Sequence, residues 1–420
     1  MRYKYACGWI FLSGLFSFVL AETKFPDTRP VKPVSELLRE GFVPLFNGKD
    51  LSGWTSSQPN AQSGFRVVDG TLETYGGMGL LWYSKKRFGD YILVLEWKAG
   101  RKVDNSGIFV RFPKRHKGPE QIWHAIRQGY EIQICDLHHP SPKYPHGHNN
   151  TGSIYSFKES FKVNSKPAGE WNRFEIICLG QRIVVYENGL KINDFLGDGS
   201  RGINGFIGLQ NHDPTSKIRF RNILIKELRP AVPEEYDLIL WNGLDWRKDG
   251  WKHNKIGTFV VEDGLLKTQG GMGILWYAKR KFKDFKLLVE WKAKSRKANS
   301  GIWLRLGVAP KEGQHNYVNS GYEVQICDLH HPSKEYPRGH NNTGSIYGQQ
   351  ECTHVASKKP GEWNRYEITV IGQTYTVVLN GETVNVFKGN RALEGYIGLQ
   401  NHDPGSVLWF RNIAIKEIKK

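Results

Sequence analysis

The sequence predicts an all-β chain of two tandem jelly-roll β-sandwiches, and three observations lead there. Long motifs recur at an offset of 190 to 194 residues. Within each copy, most apolar runs have the length, the β-branched and aromatic content and the flanking turn residues of strands. No βα alternation interrupts them, which favours two packed sheets of jelly-roll type over a parallel sheet.

The repeat is the firmest of these. Gly76–Tyr83 returns as Gly270–Tyr277, Asn105–Ile108 as Asn299–Ile302, Gly129–Pro140 as Gly321–Pro332 and Gly208–Pro214 as Gly398–Pro404, with only conservative changes. A period this long is a whole domain, not a solenoid unit. The copies are expected over 41–229 and 238–420. A short linker, 230–237, carries Pro230, Pro233, Glu234 and Glu235 between them.

The elements follow in chain order. Residues 1–21 combine Arg2 and Lys4, an apolar stretch from Ala6 to Leu20 and the small Ala21 before Glu22, the layout of a cleaved secretory signal. Export to the periplasm or the outside is the expectation. A retained membrane anchor is the rival reading, but the run is shorter than the ~20 residues a spanning helix needs. Residues 22–40 form a proline-rich lead-in with one helical turn around Ser35–Arg39. Strands flank Asp69-Gly70 and Asn188-Gly189, as in hairpins. Further strands are expected at Tyr91–Trp97, Ser106–Arg111, Tyr130–Cys135, Arg173–Cys178 and Ile218–Lys226, and no segment inside a copy sustains a helical period.

Composition narrows the function classes. The formal net charge is +18, yet Lys and Arg are scattered and no arginine-rich arm or nucleic-acid motif is present. The charge therefore reads as a surface and solubility property, with attraction of acidic glycans a lesser alternative. Of Cys135, Cys178, Cys327 and Cys352, only Cys135 and Cys327 match between copies, so no disulfide can be common to both. Buried free thiols are expected, and no C-x-x-C spacing points to zinc or redox chemistry. No nucleotide cofactor is expected.

Strand alternation assigns faces. Ile132 and Ile134 point to the core, so Glu131 and Gln133 point away from it. Ser106, Ile108 and Val110 leave Asn105, Phe109 and Arg111 on the far side, and Leu209 leaves Gln210 and His212 there. If these strands are neighbours, Asn105, Arg111, Glu131, Gln133, Gln210 and His212 share one sheet surface. The second copy offers Asn299, Arg305, Glu323, Gln325, Gln400 and His402. A merely solvated face is the bland alternative. Solvation does not specify side-chain type, however, and here neutral Gln, Asn and His recur as faithfully as the charges.

The loop beyond the Glu131 strand adds Asp136, His138, His139 and His148, matched by Asp328, His330, His331 and His340. His138 and His330 are acid–base candidates, while Asp136, His139 and His148, with Asp328, His331 and His340, are candidate ligands for a divalent metal. Their spacing fits no established metal motif, and hydrogen bonds from His to the loop backbone are the competing reading. Asn149-Asn150-Thr151 fits a glycosylation acceptor but is assigned to the site loop. Trp82 and Tyr83, with Trp276 and Tyr277, could stack on a sugar, although at least one of each pair is expected in the core.

Several ordered motifs together resemble one family. They are Leu45–Trp54, Asn105–Ile108, Tyr130–Ile134, Thr151–Tyr155, Gly169–Asn172, Gly208–Gln210 and Phe220–Ile223. This set resembles the 3-keto-disaccharide hydrolases, also described as 3-keto-glucoside lyase/hydratase domains, and does so twice. The opening of the second copy, Leu240–Trp246, departs modestly. The resemblance implies that the jelly rolls are concanavalin A-like and that the chemistry is on glycosides oxidised at C3. The ketone acidifies the C2 proton, a base removes it, the aglycone leaves from C1, and water adds to the resulting enone. In that scheme Glu131 or His138 is the base, with Glu323 or His330 in the second copy. Arg111, Gln133, a metal or His212 steadies the enolate, with Arg305 and His402 as counterparts. Asn105, Gln133, Tyr155 and Gln210, and Asn299, Gln325, Tyr347 and Gln400, would bind an oligosaccharide or glycoside substrate. Two rivals remain: a secreted carbohydrate-binding protein without catalysis, and a scaffold in which duplication supplies avidity. One active copy beside one binding copy is also open.

Overall fold

The computed structural model describes residues 24–57, 64–113, 121–136, 149–254, 257–329, 334 and 341–419. The expected signal segment and His138, His139, His148, His330, His331 and His340 lie outside the described residues.

The first copy runs through α1 (Val34–Arg39), β1 (Val43–Pro44), β2 (Trp54–Ser56), β3 (Gly64–Val68), β4 (Thr71–Tyr75) and β5 (Gly79–Tyr83). It continues with β6 (Asp90–Ala99), β7 (Asn105–Phe112), α2 (Gln121–Gln128), β8 (Tyr130–Cys135) and β9 (Asn172–Leu179). β10 (Arg182–Glu187), β11 (Leu190–Leu196), β12 (Phe206–Asn211) and β13 (Ile218–Arg229) complete it. An eight-stranded sheet has the order β11-β10-β9-β6-β13-β4-β3, with β1 beside β13, and a five-stranded sheet has the order β2-β5-β12-β7-β8. The second copy repeats both sheets; its five-stranded one comprises Trp251–His253, Gly273–Tyr277, Tyr396–Asn401, Asn299–Leu306 and Tyr322–Cys327 in spatial order.

The two expected hairpins form because their turns can adopt the left-handed region: Asp69 and Gly70 have φ 48° and 69°, Asn188 and Gly189 49° and 85°. Two successive positive φ values match the twist of the flanking strands.

Between the sheets of the first copy, Ile108, Val110, Ile132, Ile134 and Leu209 meet Leu93, Leu95, Phe174, Ile176 and Phe220. Each large apolar side chain buried this way contributes about 1.5–3 kcal/mol. The outer face of the large sheet is covered as well. Leu37 of α1 and Phe42 pack on Val94 and Leu224, and in the second copy Val232 and Tyr236 of the linker pack on Leu288 and Ala414. Lead-in and linker thus do the same job, and the outward face of each five-stranded sheet is left for other use.

One element departs from expectation. α2 lies inside the first copy, with Ala125 buried against the five-stranded sheet and Trp123 and Arg127 turned outward. Two turns are too short to register a helical period in the sequence. The second copy has only turns between Leu306 and Tyr322. Cys135, Cys178, Cys327 and Cys352 are buried thiols outside any disulfide. No helix among the described residues is long and apolar enough to cross a membrane.

Candidate functional site

The outward face of β12, β7 and β8 gathers the polar set. Cross-strand register puts Phe109 opposite Glu131 and Gly107 opposite Gln133, while Gly208 of β12 lies opposite Phe109. Glu131, Gln133 and Gln210 are each only 4% exposed. Gln133 donates through Nε2 to Asn105 Oδ1 at 2.9 Å, and Gln210 is hydrogen-bonded to Glu131. Oε1 of Gln133 and Oε1 of Gln210 have no partner. In the second copy Gln325 repeats the bond to Asn299 at 3.1 Å, and Oε1 of Glu323 and of Gln400 are unpartnered. An unfilled buried acceptor costs about 1–3 kcal/mol. Beside the carboxyl, these acceptors are open to hydroxyl donors.

Burial pushes the Glu131 carboxyl up to about 8, although the Gln210 bond pulls the other way. Burial alone lifts Glu323 to about 8. Both groups therefore exchange protons near neutrality, which is what an acid–base catalyst requires.

His212 follows β12 and is oriented by its neighbour: Nδ1 lies 2.9 Å from Asp213 Oδ2. Asp213 also accepts from the Thr215 and Ser216 hydroxyls at 2.7 and 2.6 Å. Burial opposes ionisation, but the bonds from Ser216, His212 and Thr215 outweigh it and hold the Asp213 carboxyl well below the usual range. A carboxylate at Nδ1 fixes the proton there and leaves Nε2 as the nitrogen available to a substrate. His402 and Asp403 repeat the pair at 2.9 Å. At the rim, the Tyr155 N–H donates to the Glu131 carbonyl, and the Tyr347 N–H to that of Glu323, both at 2.9 Å. Both rings are exposed.

Arg111 and Arg305 require correction, since neither faces this surface. The pairing of β7 with β12 slips by one residue, so that Phe206 faces Phe112 and Ile207 faces Val110. Arg111 is the extra residue, with φ 59°. Such a bulge re-aims a side chain that unbroken alternation would place outside. Arg111 instead points between the sheets, fully buried, with Nη2 3.1 Å from Asp90 Oδ1 and Nη1 donating to the Gly180 carbonyl. Arg305, at φ 50°, pairs with Asp284 at 2.9 Å. Phe112 takes the outward place, beside Leu80, Trp82, Phe109 and Phe206. Trp82 thus belongs to the site face, while Tyr83 packs on the other side with Trp54 and Phe88.

Asp136 and Asp328 serve a latch. The Thr151 hydroxyl donates to Asp136 Oδ1 at 2.5 Å while accepting from the Cys135 N–H at 3.1 Å. Asp328 is held alike by Thr343 and Ser357 at 2.6 and 2.9 Å. Among the described residues, no group of three or more His, Cys, Asp or Glu converges as a metal site. The proposed ligands His139, His148, His331 and His340 lie outside those residues.

Two participants escaped the sequence reading. Asp213 and Asp403 were signalled by the repeated His-Asp-Pro. Gly107 and Gly301 were signalled by the repeated Asn-Ser-Gly-Ile, where the glycine makes room for the carboxyl. A Cβ at Gly107 would stand 2.3 Å from Glu131 Oε1, and one at Gly301 2.0 Å from Glu323 Oε1.

Comparison with known proteins agrees with this duplication. The model of the 3-keto-alpha-glucoside-1,2-lyase-like domain matches residues 41–226 and again 239–416. The chain is 26% identical over 234 residues to a 3-keto-disaccharide hydrolase of Bacteroides thetaiotaomicron, covering 45% of this chain and 79% of that one. Among solved structures, a glycosyl hydrolase candidate from Parabacteroides distasonis is 25% identical, covering 46% of this chain and 97% of its own, with a TM-score of 0.39. A carbohydrate-binding module from Bacillus subtilis is 16% identical, covering 42% and 96%, with a TM-score of 0.28. With two matches spanning nearly all of both sandwiches, the chain belongs to the 3-keto-alpha-glucoside-1,2-lyase-like domain family and carries that domain twice.

Proposed function

We propose that the chain is a carbohydrate-active enzyme that cleaves 3-keto-glycosides by eliminating the aglycone and hydrating the product. The observation that carries this reading is the buried carboxyl of Glu131, and of Glu323, raised to about 8 beside unpartnered amide oxygens. A carboxylate whose conjugate acid has that pKa is a far stronger base than an ordinary Glu, and a proton α to a ketone needs such a base. Glu131 takes the C2 proton, the electron pair forms the C1–C2 double bond, and the C1–oxygen bond breaks. His212, held through Nδ1–H by Asp213, enters this step with a proton on Nε2 as well and gives that proton to the departing oxygen, leaving the neutral ring to take one from the attacking water. Water then adds at C1 and a proton returns to C2, giving net hydrolysis. The Oε1 atoms of Gln133 and Gln210 accept sugar hydroxyls and fix the ring.

Family membership and the named hydrolase relative support carbohydrate chemistry; the residue roles rest on the geometry. Turnover of a 3-keto-glycoside by the wild type, with loss in the double variant Glu131→Gln, Glu323→Gln, tests them. Full activity in that variant rejects Glu as the base. Binding of intact, unoxidised glycans with no turnover of any keto-glycoside would leave a sugar-binding protein instead.

A further inference from the structure

The two sites share their carboxyl, amides and His–Asp pair but differ beside the carboxyl. In the first copy the residue opposite Glu131 is Phe109, and the wall continues through Phe112, Phe206 and Ala125 of α2. None of these four side chains carries a hydrogen-bonding atom; the polar atoms described beside them are Nε1 of Trp82, matched by Trp276 in the second copy, and the buried Nε2 of His124 on α2. In the second copy the residue opposite Glu323 is Trp303. It is 4% exposed, and its Nε1 has no partner.

The segment that replaces α2 brings Tyr317 onto Trp303, ring centroids 5.4 Å apart and planes at 89°. Tyr317 is 3% exposed and hydrogen-bonded to Asn254. Asn254 stands where the first copy has Ser57. Both cap the same backbone group, the N–H of Ile274 at 3.0 Å and that of Leu80 at 2.9 Å. Only the asparagine has amide hydrogens left over. They reach the Gln314 carbonyl at 3.3 Å, tying the Tyr317 segment to the sheet. The second site therefore holds the indole N–H of Trp303 and the phenol hydroxyl of Tyr317 where the first has the carbon side chains of Phe109 and Ala125. An unfilled buried donor disfavours an apolar occupant, and a carbon wall disfavours a hydroxyl that loses its water.

We propose, resting on the reading above, that the two copies accept different glycosides: the second a substrate with a hydroxyl-bearing group, such as a further sugar residue, beside Trp303 and Tyr317, the first one with an apolar group against Phe109. The pair of sites then handles two substrate classes in one chain.

Equilibrium binding to the double variant Glu131→Gln, Glu323→Gln, which separates recognition from turnover, provides the test. The probes are a 3-keto-disaccharide and 4-nitrophenyl 3-keto-glucoside, measured by calorimetry. Each probe is expected to prefer one site by about tenfold or more, in line with one or two buried hydrogen bonds. Adding Trp303→Phe and Tyr317→Phe should weaken the disaccharide about tenfold and leave the nitrophenyl glycoside within twofold. Phe109→Trp should weaken the nitrophenyl glycoside at the first site. Equal occupation of both sites by both probes, or no effect of the Trp303 and Tyr317 changes, overturns the proposal. Site-selective binding in a chain whose wild type turns over neither probe would sustain the selectivity and reject only the enzymatic reading.

Discussion

The carboxyl of Glu131 occupies the volume that a side chain on Gly107 would need, with Oε1 2.3 Å from the position of a Cβ there. Glycine on a central strand weakens the strand unless something approaches closely, and here the approaching group is the proposed base. Gly107→Ala should displace the carboxylate and abolish turnover at the first site, with a stability cost of about 1–3 kcal/mol from overpacking. Gly301→Ala should do the same in the second. Thermal denaturation and kinetics on each variant check this; unchanged activity would mean that the carboxyl does not need its present position.

The pH dependence follows from the same groups. As a base, Glu131 must lose its proton, so the ascending limb of the kcat/KM profile should have an apparent pKa near the value of about 8 that burial imposes, with a fall beyond it where the general acid has lost its proton. A profile already flat from pH 5 to 9 would contradict the assignment.

The carboxylate of Asp213 is expected to matter through His212 and not through substrate contact. Asp213→Asn keeps the shape but removes the charge that fixes the Nδ1 proton. Turnover at the first site should fall by about 10²-fold or more, with KM changed far less. An equal loss in KM and none in kcat would point to a binding role.

Arg111 should behave as a structural residue. Removing one partner of a buried ion pair costs about 3–5 kcal/mol, so Arg111→Ala should lower the melting temperature sharply. Any folded fraction should keep the wild-type KM. A specific loss of KM with normal stability would return Arg111 to the site.

Glu187 separates the copies in stability. It is fully buried, takes the Ser165 hydroxyl at 2.9 Å, and is pushed up to about 8, chiefly by burial. Between about pH 4.5 and 8 the folded protein keeps a proton that the unfolded chain has released. The Glu187 contribution to stability is therefore fully present below that window and declines through it, by up to ~1.4 kcal/mol per pH unit. The second copy has Leu379 at this position. Glu187→Leu should flatten the decline, leaving the variant more stable than the wild type at pH 8. Parallel melting-temperature curves for the two proteins between pH 5 and 8 would contradict this.

Most of the architecture was legible because duplication and period-2 alternation are properties of the sequence itself. Alternation alone gave the outward face of Asn105, Glu131, Gln133 and Gln210; their gathering rests on the adjacency of β12, β7 and β8, which the sequence left open and the sheet order supplies. Arg111 and Arg305 were misplaced for the complementary reason: one inserted residue with positive φ reverses every later assignment on its strand. The difference between the sites was hidden as well. It lies in α2 and its turn-rich replacement, where the copies share no motif and side-chain placement depends on the sheet beneath.

In the proposed reaction, cleavage proceeds through the C2 proton of an oxidised sugar. The most direct measurement is turnover of a 3-keto-glycoside and its unoxidised parent in D2O, followed by mass spectrometry and NMR of the products, with released 3-keto-glucose as the exchange control. Cleavage of the keto-glycoside only, with deuterium at C2 beyond the control, is the expected result. Cleavage of the parent at a comparable rate, or keto-glycoside cleavage with C2 hydrogen retained, would contradict it.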